Sequence, residues 1–529
     1  MQSFIIFLTA VVPLLSYGLF AILSRLLSHP VKFPKSVPVI GPRKEVLSIA
    51  RASLRQIVGG IETLLDGYGK HGRHGKPFVV YDPSAQQELL VPVDHVKWFS
   101  DQPDSKLSSY GVRQERHAVK YLHMGIELST TMHFMERLIG DRLTRHLDEL
   151  QIPMHDELRH CIDEVYGKDE EEWKEVNVYS SFEEIVMPAM SRVFLGLPLS
   201  RDPRILTAFR RYILALGLGT IFVGELPHVM KGVIARIIKL PLWYYRNKTL
   251  AVLTPAVEKQ LALGMDKKNG EVDGSNFIWH AAKLSEKSIV GGLGQTSKPE
   301  VIAEWIMSLG FAGSSSTVIQ ATNLLLDVAN CPKEWQVIER LREEAQETLG
   351  SDADWANASS FKRQVGADSV IRESLRYHPI LIKGLTKEVV PSSGLQLPDG
   401  TNMPKGGWVG VPVHGIHRDE KYYPNANTFE PFRFVKEPST QEAQKATSYE
   451  DELEAAKPTT TYLGFGYGRH ACPGRWFAVL MLKMIMAYIV LNYDIESTGP
   501  VPPTKVIGDA ALPPMSATIR IRRRKQVSK

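Results

Sequence analysis

The chain has 529 residues, 63 Lys+Arg against 58 Asp+Glu, a formal charge of +5 and three cysteines. With 43% apolar and 23% charged residues it sits near the globular average, which excludes a collagen-like, mucin-like or disordered chain, and so few cysteines exclude a disulfide-stapled scaffold. Eleven of the positives lie in residues 1–44 and 520–529, where there is no acid, so the body between them carries 52 against 58 and offers no basic face for nucleic acid.

In chain order, Phe4 to Leu23 comes first and reads FIIFLTAVVPLLSYGLFAIL, without a charge. At about 1.5 Å per residue this run spans a hydrocarbon core of roughly 30 Å, so a transmembrane anchor is expected over 1–24. A cleaved signal is the rival. Against it, no basic residue precedes the run and no A-x-A-like site follows. Arg25, Lys32, Lys35, Arg43 and Lys44 come next, which predicts a single-pass anchor with the body on the cytoplasmic side. Pro30, Pro34, Pro38 and Pro42 make 25–44 a stiff basic hinge.

The body is expected over 45–529. FVVY at 78–81 and ELLV at 88–91 predict a β-hairpin around DPSAQQ. Apolar periodicity predicts helices over 129–150, 181–194, 203–216, 228–245, 250–264, 299–329, 333–348 and 366–377. Residues 385–413 turn to short strand-like pieces punctuated by PDG and PKGG. Residues 436–458 read as a polar surface insertion. An apolar helix over 475–491 then leads to strands near 504–521, and 520–529 reads as a solvated basic tail. Many helices with few strands predict a mainly α, α+β architecture. In 212–245 two apolar stretches are interrupted by Glu225, Lys231, Arg236 and Lys239. Two readings stand there: a pair of core helices, or a pair dipping into a bilayer.

The residues that carry chemistry centre on Phe465-Gly466-Tyr467-Gly468-Arg469-His470-Ala471-Cys472-Pro473-Gly474. Glycines let the backbone turn tightly and come close to a flat cofactor. An apolar helix starts just after the cysteine, and its N-terminal N–H groups favour thiolate over thiol. No second Cys or His stands at zinc spacing. That argues against zinc and iron–sulfur sites and permits axial ligation of a haem iron. A purely structural cysteine is the plain alternative, and Cys161 and Cys331 read as inert thiols.

The string resembles the haem-binding loop of the cytochrome P-450 superfamily, F-G-x-G-x-x-x-C-x-G. Three more elements follow in that family's order. Glu373-Ser374-Leu375-Arg376 matches E-x-x-R, His417-Arg418-Asp419 with Tyr422 and Pro424 matches a lead-in, and Phe429-Glu430-Pro431-Phe432-Arg433-Phe434 matches F-x-P-x-R-F. The resemblance covers the body, 45–529. The anchor and proline hinge resemble the microsomal form, which implies the endoplasmic reticulum membrane, and ACPGRWFA resembles fungal members. The resemblance implies a many-helix fold with minor β-sheets and haem b as cofactor. It makes Cys472 the axial iron ligand, with Phe465 and Gly468 in the cofactor loop. His470 stands where the family usually has arginine facing a propionate, and its pKa would rise beside that anion. His133 and Arg137 match the propionate-binding helix, with a solvated helix face as the other reading.

Glu373 and Arg376 lie three apart on one helix face, and Arg433 can add a second guanidinium to the same carboxylate. The family's reading of this triad is structural. Phe311 to Thr317, FAGSSST, resembles the oxygen-activating helix, with Ala312 and Gly313 as the small pair that lets it approach the ring. The usual acid is Ser315 here, and the usual threonine is Ser316, with Thr317 next. A proton relay then falls to Ser316 or Thr317, with water completing it. Helix packing by small residues is the alternative. Ile380 to Thr386 is implied to approach the haem and, with Phe311 and Ala312, to line an apolar pocket.

The implied activity is that of a membrane-anchored haem-thiolate monooxygenase acting on a lipophilic small molecule, such as a terpenoid or other fungal secondary metabolite. Gly291-Gly292-Leu293-Gly294 lacks the strand–helix context of a dinucleotide site. Electrons are therefore expected from a separate NADPH reductase, with cytochrome b5 as a second donor. Two rivals stand beside this reading. One is a haem-thiolate isomerase, dehydratase or peroxide-using enzyme, motivated by Ser315, and the other is a haem- or sterol-binding carrier.

Overall fold

Where apolar residues recur at three and four, the computed structural model forms helices. Those of eight residues or more are α1 (Ser48–Lys70), α2 (Val93–Asp101), α3 (Ser109–Arg116), α4 (Leu147–Tyr166), α5 (Val178–Leu195), α6 (Pro203–Gly224), α7 (His228–Met265), α8 (Pro299–Ala329), α9 (Val337–Thr348), α10 (Val365–Tyr377) and α11 (Arg475–Asn492). The structure describes residues 31–45, 48–84, 86–122, 136, 138–140, 143–144, 146–226, 228–265, 277–278, 281, 299–435 and 454–525. The expected anchor at 1–24, the start of the hinge, His133, Arg137 and 436–453 of the insertion lie outside the described residues.

Local chemistry sets several boundaries. The Asn177 side chain accepts the Ser180 N–H and opens α5, and Asp202 accepts from Arg204 with Pro203 in the first turn of α6. The helices expected at 228–245 and 250–264 are one helix, α7. The intervening RNKT holds no breaker, and Thr249 Oγ1 bonds back to the Tyr245 carbonyl inside the helix.

The strands are β1 (Val39–Ile40), β2 (Phe78–Tyr81), β3 (Gln87–Leu90), β4 (Leu107–Ser108), β5 (Lys174–Asn177), β6 (Gly384–Val389), β7 (Leu395–Gln396), β8 (Asn402–Met403), β9 (Trp408–Val411), β10 (Tyr493–Ser497), β11 (Lys505–Ile507), β12 (Ala510–Leu512) and β13 (Thr518–Arg523). The expected hairpin is β2–β3, antiparallel with Phe78 opposite Leu90. It sits in a six-stranded sheet of order β1-β2-β3-β9-β6-β4, where β3 and β9 run parallel. A second sheet has the order β10-β13-β5.

The basic stretch at 520–529 is not a loose tail through Arg524. Ile519 and Ile521 are buried, so strand alternation turns Arg520 and Arg522 to the other face, while Arg523, on the face of the isoleucines, meets a largely enclosed acid. Arg520 pairs with Glu496, Arg522 and Arg524 with Asp494, and Arg523 with Asp163.

The core is helical, and α8 lies in it against α5, α7, α10 and α11. Two described helices, α6 and α11, are long and apolar enough to cross a membrane. Helix α11 is a core helix, with Met481, Met484, Ile485 and Ile489 almost fully buried. Helices α6 and α7 pack into the core on one face, as the first reading of 212–245 has it. They bury Phe209, Leu216 and Leu242, yet expose Leu214, Leu218 and Phe222 on α6, and Val233, Ile237, Leu240, Trp243 and Tyr244 on α7.

Candidate active site

Two left-handed glycines shape the loop before α11. Gly466 has φ +75° and Gly468 φ +68°, conformations that carry a steric cost for side chains. The Cys472 N–H donates to the Phe465 carbonyl at 2.8 Å, which closes the loop and brings Phe465 and Cys472 together. At Gly468 an added Cβ would come within 3.0 Å of Ser100 Cβ on α2, so the glycine also permits close approach of loop and helix. Cys472 is exposed, three residues ahead of Arg475 and the start of α11. Protein atoms crowding the sulfur push its pKa up even at this open position, against the pull of the Gly474 N–H and the Arg475 guanidinium. Thus the helix N-terminus does not by itself bring the thiol's pKa down. A coordinated metal deprotonates a thiol outright.

Helix α8 presents an open stripe in an otherwise enclosed helix. Ala312 is exposed and Ser315, Ser316 and Ile319 are half-buried, while Ser314, Thr317 and Val318 are buried. The spacing of three, four and seven puts the open residues on one face. This separates the two relay candidates. The Ser316 hydroxyl lies on the open face and donates to the Ala312 carbonyl at 2.8 Å, whereas Thr317 is turned into the core. Gly313 has a packing role as well. A Cβ there would collide with Met190 Cε, so its smallness serves the packing of α8 on α5.

Glu373, Arg376 and Arg433 come together in the interior. Arg376 donates Nε and Nη2 to the two Glu373 oxygens at 2.7 and 2.8 Å, and Arg433 Nε reaches both at 3.1 Å. Arg376 also donates to the carbonyls of His417 and Ala426. The wholly buried His417 ring couples this cluster to the cysteine loop. Its Nδ1 donates to the Arg376 carbonyl at 3.0 Å and its Nε2 accepts the Leu463 N–H at 2.8 Å. That bonding needs a neutral ring, and burial together with Arg376 holds its pKa well below 6.5. Sequence reasoning placed His417 in a motif without this role.

Cations gather beside the loop. Lys387 is 2% exposed and donates to the Phe99 and Ser100 carbonyls at 3.3 Å, with no carboxylate in ion-pair reach among the described residues. Burial and Arg469 lower its pKa to about 8. His470 Nε2 bonds Asp104 Oδ1 at 3.0 Å, and Arg469 donates to the Gln102 carbonyl. Burial and the neighbouring Lys387 lower the His470 pKa, so within the protein alone it falls where a rise was expected. The expected rise needs an added anion. A buried ammonium among Arg469, His470 and Arg113 suits carboxylates, which is what the propionates of a haem carry. Neither Lys387 nor Arg113 carried a signal in the sequence, since a lone Lys in TKE reads as solvated.

A solitary cysteine on a glycine loop, an open stripe of small residues on a core helix and a cluster of cations beside the loop suit a haem-thiolate oxidoreductase. The cytochrome P-450 family model matches residues 134–520, and the chain belongs to that family, whose members hold haem iron through a thiolate. It is 60% identical over 506 residues to cytochrome P-450 monooxygenase efuH of Hormonema carpetanum, covering 96% of this chain and 90% of that one. It is 57% identical to monooxygenase fsoD of Humicola fuscoatra, covering 96% and 98%, and 37% identical to monooxygenase polB of Polytolypa hystricis, covering 95% of each. The protein is therefore a monooxygenase of the fungal type. The isomerase and carrier rivals have no such support.

Proposed function

We propose that this monooxygenase hydroxylates a lipophilic small molecule of secondary metabolism, a terpenoid or similar polycyclic compound, at a membrane surface, with electrons from a separate NADPH reductase. The observation that carries the reading is Cys472, an exposed thiol fixed by the Phe465 carbonyl at the head of a core helix.

Cys472 would hold the iron, and Lys387, Arg113 and His470 would take the propionates. Bound haem supplies dioxygen activation and one-electron chemistry. The chain's own residues do the rest. Cys472 lends its sulfur, and the left-handed glycines hold that sulfur at a fixed height above the loop. Ala312 keeps the open face of α8 low, which leaves room for a flat ring and a small gas molecule. Ser316 holds a proton at Oγ, now given to the Ala312 carbonyl, and a rotation of χ1 would free it from that carbonyl. With Ser315 in the acid's place, water must bring the next proton. Exposed Leu218, Phe222, Ile237 and Trp243 on α6 and α7 support membrane contact, because apolar side chains with Lys239 and Lys248 nearby suit an interface.

The test is turnover with NADPH, a reductase and isotopically labelled dioxygen on a panel of polycyclic terpenoids. One labelled oxygen should enter the product, and product formed without reductant would sink the proposal. The carbon monoxide difference spectrum of the reduced protein should show the thiolate-type band, and Cys472→Ser should abolish it.

A further inference from the structure

A cavity of about 480 Å³ lies beside α11, and none of its wall comes from Cys472 or from α8. That size is ordinary for a small-molecule site. Trp476, Val479, Leu480 and Lys483, spaced by three, four and seven, turn one face of α11 toward it. Leu147 of α4, Phe361 of the short helix Ala358–Lys362 and Phe434 line its other sides, so most of the wall is apolar and much of it aromatic.

The ions of this wall are already settled. Lys483 Nζ pairs with Asp368 Oδ1 at 2.7 Å and donates to the Phe361 carbonyl at 3.0 Å. The other Asp368 oxygen accepts the Ala455 N–H at 2.6 Å. Ser369 donates to the Pro431 carbonyl and accepts the Phe434 N–H, both at 3.0 Å. Lys362 and Glu454, also in the wall, cancel in charge. A ligand seated here therefore meets no net charge, and the satisfied groups ask nothing of it.

Gln151 is the exception. Its side chain is wholly buried in the wall, and neither Oε1 nor Nε2 has a hydrogen-bond partner among the described residues. A buried carboxamide left unpaired costs the fold a donor and an acceptor at once. Leucine or methionine would fill the same place on α4 without that cost. The carboxamide shows a donor and an acceptor side by side, a pattern that a second amide meets head-on when its own N–H and C=O point the same way. Primary carboxamides and lactams have that arrangement.

We propose that this cavity is a second ligand site, separate from the face of α8, for an uncharged aromatic molecule bearing a primary carboxamide or a lactam. Gln151 reads the amide, and Phe361, Phe434 and Trp476 hold the ring system.

The full-length holoenzyme, its iron capped with the bulky azole clotrimazole, is titrated calorimetrically with biphenyl-4-carboxamide and with methyl biphenyl-4-carboxylate. The amide should bind at one site per chain, and the ester, which has no N–H to give, about tenfold more weakly. Gln151→Leu should weaken the amide about tenfold and leave the ester as it was, with haem content and the thiolate-type band unchanged. Val365 stands in the same wall and is half-exposed at the start of α10, so Val365→Trp narrows the cavity without disturbing the core. It should lose both ligands, and it decides the matter if Gln151→Leu fails to hold haem. No binding of the amide, an amide bound no better than the ester, a preference that survives in Gln151→Leu, or unchanged binding of both by Val365→Trp would each overturn the proposal. Binding seen only with the iron uncapped would place the amide in the haem cavity and overturn it too.

Discussion

Glu373 and Glu88 are both wholly buried carboxylates, and each takes two cations. Their partners are differently spaced along the chain. Arg376 is three residues from Glu373 on the same helix turn, and Arg433 is 60 residues away. Arg116 is 28 residues from Glu88 and Lys383 is 295. The first cluster is assembled largely by helix geometry and then clamps loops onto α10. The second exists only because β3 and the segment leading into β6 are neighbours of β9 in one sheet. One cluster is thus written in local spacing and the other in topology. The first also keeps a buried, neutral histidine, His417 beside Arg376, whereas His117 beside Arg116 is exposed.

The largest expected break is at the first cluster. Arg376→Leu leaves Glu373 facing Arg433 alone and strips the His417 and Ala426 carbonyls of their donor, and it should cost about 3–5 kcal/mol. Thermal unfolding and haem content of the purified variant measure it, and a fully loaded protein of native stability would refute the clamp. Glu88→Gln should cost less, about 2 kcal/mol, because Asp509 still neutralises Arg116 and Lys383. The same measurements apply, and a cost equal to that of Arg376→Leu would mean that the two clusters do not differ in kind.

Acid sharpens the comparison. Burial first, then Arg376, holds His417 well below 6.5. The unfolded chain binds this proton near pH 6.5 and the folded protein refuses it. Stability should therefore be full above pH 6.5 and fall as the pH drops below it, by about 1.4 kcal/mol per pH unit. Denaturant titrations across that window check it. A flat profile would show that the folded ring takes its proton as readily as the unfolded chain does.

The smallest effect is expected at Glu225, close to the second cluster. Burial, then Asp509 and Asp82, raise its pKa to about 8, against the pull of Arg116 and Lys383. Its contribution is present in full below the ordinary carboxylate range and is lost as the pH rises through 8. Glu225→Gln should remove that alkaline loss and raise the unfolding temperature at about pH 9 by about 2 °C. The same gain at acid pH would point to a cause other than the proton.

Much of the site was legible because its parts are local. The loop around Cys472 needs glycine at Gly466 and Gly468 for backbone reasons that hold in any fold. The pair Glu373–Arg376 needs only a helix. The start and end of α8, the hairpin β2–β3 and helix α11 all followed from period and punctuation. Legibility stopped where neighbours decide. FAGSSST does not say which hydroxyl faces outward, and the packing of α8 against α5, α7, α10 and α11 sets that rotation. The lysine in TKE gives no sign of being buried, and the sheet carries it beneath the Phe99 and Ser100 carbonyls. The arginines at 520–524 look like a tail until β13 pairs with β10 and finds acids opposite.

The sequence by itself determined the cysteine loop, the Glu373–Arg376 pair and the mainly helical body. Each is set by dihedral preference or by a repeat of 3.6 residues, which act within a few residues of chain. Only the tertiary structure decided that Ser316 rather than Thr317 lies on the open face of α8, that His417 ties the cluster to the loop, and that Glu88 meets Lys383. Those relations depend on which elements come to lie side by side. Strand order and helix rotation set that, and the whole core has to pack before either is fixed.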